Sequence, residues 1–278
     1  MSSIFGLIVI LFGVGVLCYP SFANYWNQIG VNQQIESYDS DISSMSDEEL
    51  SQTYQMAVKY NKSLSSITVS DPFSGETKMD LSGTEFEDFS LVQDGAMLGY
   101  VDIPAINVYL PIFFGSSNEI LEDGAGLVYG TSLPIGGAGT HAVISAHTGL
   151  ASRKYFTDLT ELKEGDEFSI HILGQNLTYR VDQIKVVLPE ESSDLQIVSG
   201  EDYVTLLTCT PFGVNDHRLL VRGTRVKSSS MDSSATQAQT VNSAKDSMSW
   251  IYVLLALVII AGVVGVGYLI ISVVKEKL

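Results

Sequence analysis

The stretch TLLTCTPFGVNDHRLLVRG, Thr205 to Gly223, reads as two short strands joined by a turn. Alternation along TLLTC puts Thr205, Leu207 and Cys209 on one face and Leu206 and Thr208 on the other. Pro211 and Gly213 break that strand. The eight residues from Thr210 to His217 then form the connection, and Arg218, Leu220 and Arg222 line one face of the next strand. Paired as a hairpin, the two strands set Cys209 and Arg218 across its mouth.

The same texture extends upstream. LGYVDIPAINVYLPIF, GTHAVISAH, EFSIHIL and LTYRVDQIKVVL are short runs rich in Val, Ile, Leu, Tyr and Thr, punctuated by Gly, Pro and Asp. Helical interruptions are expected only around Lys154 to Leu162 and Glu119 to Leu121, too short to cover a parallel sheet. The core from 97 to 226 is therefore mainly β, a barrel or sandwich. Before it, residues 21–96 hold a helix in SDEELSQTYQMAVKYNKSL. There Ser46 and Glu49 form a capping box, and Leu50, Tyr54, Ala57 and Asn61 form a stripe. An irregular arm rich in Ser, Gly, Asp and Thr follows, containing the tripeptide Asp71-Pro72-Phe73.

Both ends are apolar. Residues 1–20 contain an uncharged run of 16 residues from Ile4 to Tyr19, short for a bilayer span and suited to a signal peptide or signal anchor. At the far end, a Ser-rich stalk (227–249) leads to a transmembrane helix at 250–274 and a short tail at 275–278. Lys275 and Lys277 follow the apolar run directly, so the positive-inside tendency puts the C-terminus in the cytoplasm and the β core outside the cell. A net charge of −17, from 32 acidic against 15 basic residues, excludes nucleic acid and a polybasic grip on lipid. Outside the cell Cys209 has no disulfide partner, because Cys18 lies in the N-terminal apolar segment.

A lone thiol becomes a useful nucleophile only with a base or cation beside it. The chain offers four histidines: His141, His147, His171 and His217. His147 follows the apolar run Ala142 to Ala146 and precedes Thr148-Gly149, where a buried strand emerges into a loop, and it is the preferred partner. His141 starts the same strand, about 20 Å away at the usual rise, so one site does not hold both, and it is read as a strand-end residue. Singly, each group has a plainer account: a buried thiol, a hydrogen-bonded surface imidazole, a solvated guanidinium. No metal-ligand spacing stands out, EDGAG and SDEE do not fit a calcium loop, and no cofactor is expected.

Taken together, TLLTCTPFGVNDHRLLVRG and the upstream AHTGL resemble the signature of the sortase family: T-L-x-T-C, a polar turn and an arginine on the next strand. The resemblance runs from about Met97 to Val226. It implies an eight-stranded sortase-type β-barrel with short helices, and a membrane-bound transpeptidase of Gram-positive surfaces. By the same resemblance Cys209 is the nucleophile, His147 the general acid and base, and Arg218 the cation that orients the substrate and stabilises the oxyanion. The substrate implied is an LPxTG-like sorting signal cut between Thr and Gly.

The C-terminal membrane helix and the Asp-Pro-aromatic tripeptide are similar to those of class C, or pilin-polymerising, sortases. That likeness implies that Asp71, Pro72 and Phe73 form a lid, Asp71 pairing with Arg218 and Phe73 packing over Cys209. The acceptor is then a lysine amine of a neighbouring pilin. An otherwise plain turn at Asp-Pro, a sortase that anchors proteins to cell-wall precursor, a cysteine hydrolase, and a catalytically silent surface scaffold are the competing expectations.

Overall fold

The structure is a computed structural model and describes residues 2–64, 71–73, 80–150 and 153–226. The expected stalk, transmembrane helix and tail at 227–278 lie outside the described residues. Among those described, no helix is long and apolar enough to cross a membrane. Residues 23–226 form one compact unit.

Two helices precede the sheet. The first, α1 (Ser2–Ser44), is much longer than the sequence suggested, and Pro20 lies inside it. Its C-terminal half carries Val31, Ile35 and Tyr38 at helical spacing, and these pack on Met97, Tyr100 and Tyr109. The Tyr38 hydroxyl donates to the Leu98 carbonyl at 2.7 Å and accepts from the Leu173 amide at 2.9 Å, clipping the helix across two strands. The second, α2 (Asp47–Ser63), starts at the expected capping box. The Ser46 amide donates to Glu49 Oε2 at 2.8 Å, and the Glu49 amide donates to Ser46 Oγ at 3.3 Å. Its buried face is Ala57, Tyr60 and Asn61. Buried Asn61 behaves like an extra backbone unit: it donates to the Leu133 carbonyl at 3.0 Å and accepts the Leu133 amide at 2.7 Å.

Eight strands follow: β1 (Met97–Ile103), β2 (Val108–Phe114), β3 (Ala125–Leu127), β4 (Thr140–Ser145), β5 (Glu167–Ile172), β6 (Gln175–Val187), β7 (Asp202–Thr210) and β8 (His217–Arg225). They close into a barrel in the order β1-β2-β3-β4-β7-β8-β6-β5. β2 with β3 and β4 with β7 run parallel, and the remaining neighbours antiparallel. The expected helical interruptions are a short helix α3 (Asn118–Asp123) and a 3-10 turn, Thr157–Glu161.

Two apolar clusters use the two faces of the sheet. The larger contains Ile103, Ile112, Ile144, Phe168, Tyr179, Leu206 and Val221. The smaller, on the opposite face of β4, β7 and β8, contains Val143, Leu207 and Leu220 with Val128 and Leu195. That second face is the one that Cys209 and Arg218 occupy, because they lie two residues from Leu207 and Leu220 respectively.

Candidate active site

Period-two alternation writes three rows across the β7–β8 pair. Thr205 stands opposite Arg222, Leu207 opposite Leu220, and Cys209 opposite Arg218. The hairpin reading of the sequence thus places thiol and guanidinium as direct cross-strand partners. The ladder continues one rung further, Thr210 to His217, so the connection proper is six residues, 211–216.

His147 reaches the same end of the sheet from β4, whose parallel register with β7 pairs Ser145 with Leu207. Beyond the strand, the Ala146 amide donates to the Leu207 carbonyl at 3.2 Å, and Thr208 Oγ1 donates to the Ala146 carbonyl at 2.7 Å. These two bonds carry β4 past its formal end and fix His147 alongside Cys209. The Phe156 amide holds the His147 carbonyl at 3.1 Å from the other side.

The tripeptide Asp71-Pro72-Phe73 sits on this constellation. Asp71 accepts both arms of Arg218, Nε to Oδ1 and Nη2 to Oδ2, each at 2.7 Å, and both side chains are buried. Arg218 Nη1 donates to the carbonyls of Asn215 and His217 at 3.1 and 3.0 Å. The Phe73 ring lies 5.3 Å from the guanidinium carbon of Arg218 and 5.8 Å from the His147 ring, spanning the space between them. Phe73 also packs on the Val143, Leu207 and Leu220 cluster. A narrow cleft continues from there between β7–β8 and the β6–β7 connection, lined by Val187, Leu188, Pro189, Leu195, Leu207 and Leu220. Asp71 and Pro72 form its other wall, leaving about 10 Å³ of open space.

Electrostatically the covered site is quiet. Burial pushes the Cys209 thiol up; Arg218 pulls it down, but Asp71 adds to the rise and neutralises the guanidinium. Burial also lowers His147, with Glu122 opposing weakly. Thiol and imidazole are therefore both neutral near pH 7, with a cation in place but engaged.

The other candidates lie elsewhere. His171 stacks on Tyr100 at 4.4 Å beside α1, and half-buried His217 bonds Asp216 at 2.8 Å. His141, expected as a strand-end residue, is buried on the site face of β4. Among the described residues no three His, Cys, Asp or Glu side chains are arranged to hold a metal. A larger cavity of about 450 Å³, between α1 and β2, is lined by Asn24, Gln28, Asn107, Tyr109 and Arg153 and includes none of Cys209, His147, Arg218, Asp71 and Phe73.

With this geometry in place, comparison with known proteins is decisive. The Sortase domain family matches residues 101–226, and solved structures align over nearly their whole length. The chain belongs to the sortase family. A Streptococcus pneumoniae sortase C structure is 42% identical with a TM-score of 0.65, covering 70% of this chain and 97% of that one. Clostridium perfringens sortase C, solved with the C-terminal cell wall sorting motif, is 45% identical with a TM-score of 0.61, covering 70% and 99%. Sortase A of Streptococcus agalactiae serotype III (strain NEM316) is 32% identical over 117 residues, 41% of this chain and 47% of that protein, so the match spans about half of that relative. The sortase fold, with its mixed eight-stranded barrel, and membership of a family of cysteine transpeptidases are thereby established, and the structural likeness is to class C, or pilin, sortases.

Proposed function

We propose that this chain is a pilin-polymerising sortase. In this reading it cleaves an LPxTG-like sorting signal between Thr and Gly, holds the acyl group on Cys209, and passes it to a lysine amine of a second pilin. The observation that carries the proposal is the Cys209–Arg218 cross-strand pair with His147 beside it, closed by the Asp71–Phe73 arm. The S. pneumoniae relative was solved with attention to pilin substrate specificity, and the C. perfringens one with a sorting motif, which supports the same substrate class here.

Catalysis starts when the sorting signal displaces Asp71 and Phe73. Arg218 then faces Cys209 without a carboxylate partner, and His147 takes the thiol proton as sulfur attacks the threonine carbonyl. Arg218 stabilises the oxyanion that develops at that carbonyl. As the tetrahedral species collapses, His147 returns the proton to the departing glycine nitrogen, leaving a thioester. A neutral lysine amine attacks the thioester carbonyl, His147 accepts its proton, and the sulfur leaves and is reprotonated. The product is an isopeptide bond. In our reading the uncharged apolar run at 250–274 anchors the chain in the membrane, and the chemistry takes place on the outer face of the cell.

The test is to incubate membranes carrying the full chain with purified pilin bearing a C-terminal LPxTG signal. A covalent ladder on denaturing gels that disappears with Cys209→Ala is expected. Attachment to wall precursor without a ladder would replace polymerisation by wall anchoring. Cleavage by Cys209→Ala at the wild-type rate would remove the cysteine enzyme altogether, and release of free acid with added amine ignored would mark a hydrolase.

A further inference from the structure

His141 lies on the site face of β4, with 1% of its surface exposed, and takes no part in the chemistry above. Both ring nitrogens are engaged: Nδ1 is 2.9 Å from the Gln196 carbonyl and Nε2 is 2.8 Å from Thr205 Oγ1. The protons can be assigned from the partners. A carbonyl only accepts, so Nδ1 carries the hydrogen and donates to Gln196; Nε2 then accepts from the Thr205 hydroxyl. Burial holds the ring in this neutral form. Ser132 fixes the backbone on the far side, its Oγ accepting the His141 amide at 3.1 Å and its own amide donating to the His141 carbonyl at 3.0 Å.

Gln196 belongs to the connection between β6 and β7, immediately after the 3-10 turn Ser193–Leu195. Leu195, one residue earlier, is buried against Leu207, Leu220 and Phe73. The same connection contributes Leu188, Pro189 and Leu195 to the wall of the apolar cleft beside Arg218. Among the described residues, the connection's side-chain hydrogen bonds to β6 are made by Asp194, which meets Lys185 at 2.5 Å and Gln183 at 3.3 Å. His141 supplies a buried tie from the β4–β7 side, underneath the cleft.

We propose that His141 is a positioning residue for substrate: it pins the β6–β7 connection at Gln196 and so sets the distance between Leu195 and the Leu207–Leu220 floor that grips an apolar residue of the sorting signal. Cys209 is four residues along β7 from Thr205, about 13 Å at the usual rise, and is held by its own ladders. His141 therefore governs binding and leaves the reacting groups in place. The substrate named here rests on the sorting-signal reading above.

The experiment uses the full chain in detergent, a fluorogenic LPxTG peptide, and hydrogen exchange of the amides from 195 to 201. Losing a buried hydrogen bond to the connection raises KM about tenfold in His141→Ala, with kcat within about twofold of wild type. His141→Asn, whose amide nitrogen reaches the place of Nδ1, restores KM. His141→Gln, which reaches only the place of Nε2, does not, and Thr205→Val leaves KM near wild type. Exchange at 195–201 speeds up in the Ala and Gln variants only. Equal KM across the series, a fall confined to kcat, or unchanged exchange in His141→Ala overturns the proposal. If the wild-type chain cleaves no LPxTG peptide, the substrate reading fails separately, and the exchange pattern still decides whether His141 holds the connection.

Discussion

Asp71→Ala is the substitution that most directly probes how the site is kept closed. In the wild type the Arg218 charge is neutralised by a bidentate carboxylate at 2.7 Å, and the Cys209 thiol is held up by burial and by that same carboxylate. Removing Asp71 subtracts one effect that disfavours the thiolate and releases another that favours it. Cross-strand partners have Cβ atoms about 5 Å apart. Two unit charges at that separation interact by about 3 kcal/mol at an effective dielectric near 20, and water entering the opened site roughly halves this. Since about 1.4 kcal/mol is a factor of ten, thiolate at pH 7 and the alkylation rate both rise about tenfold.

The assay is the pseudo-first-order rate of iodoacetamide labelling at Cys209, read by peptide mass spectrometry to separate it from Cys18, between pH 6 and 8. Asp182→Ala serves as the control. It breaks the Arg222–Asp182 pair, both bonds at 3.0 Å, four residues away along β8. The control rate stays at wild type. The stability cost of Asp71→Ala is smaller than the roughly 3–5 kcal/mol of a fully orphaned buried charge, because two backbone carbonyls still receive Nη1. An unchanged or slower labelling rate in Asp71→Ala would refute the idea that this carboxylate silences the thiol.

Phe73→Ala opens the space between His147 and Arg218 and speeds the same labelling severalfold, with the Arg218–Asp71 pair intact in the absence of substrate; equal rates would show that the ring does not cover the thiol. Gly99→Ala destabilises the barrel by several kcal/mol in urea unfolding, because a Cβ there would lie 2.0 Å from the His171 carbonyl oxygen, a backbone atom that cannot step aside. Thermal stability falls as the pH drops from 7 to 5. Burial lowers His141, His147 and His171 in the folded chain, so the unfolded chain binds protons first as the pH passes about 6.5, and scanning calorimetry gives a rising Tm up to neutrality and a plateau above it.

The sequence made the sheet legible because each strand carries its own punctuation. Alternation in TLLTC and HRLLVRG predicted the Cys209–Arg218 pairing, and the observed register has them as direct partners. β3 escaped, being three residues, Ala125–Leu127, with a glycine at its centre and no alternation to detect. The second half of α1 is not evident from the sequence, although Val31, Ile35, Tyr38 and Ile42 repeat at helical spacing. Its apolar residues are separated by polar ones, and the face that buries them, Met97, Tyr100 and Tyr109, comes from strands distant in the sequence. Local pattern reports the period of an element, while its partner is a property of the whole chain.

The same distinction explains the site. Cys209, Arg218 and His147 each stand at a strand end followed by turn residues, where local reading works, and Asp71-Pro72-Phe73 is a compact sequence feature. His141 was set aside by a sound distance argument, since a residue 20 Å from His147 does not share its chemistry. One sheet face nevertheless runs from His141 and Thr205 through Val143, Leu207 and Leu220 to Cys209 and Arg218. On a rigid barrel, a residue at one end of that face acts on the other end through whatever lies across it, here the β6–β7 connection. Distance along a strand excludes a catalytic part for His141; it does not exclude a mechanical one.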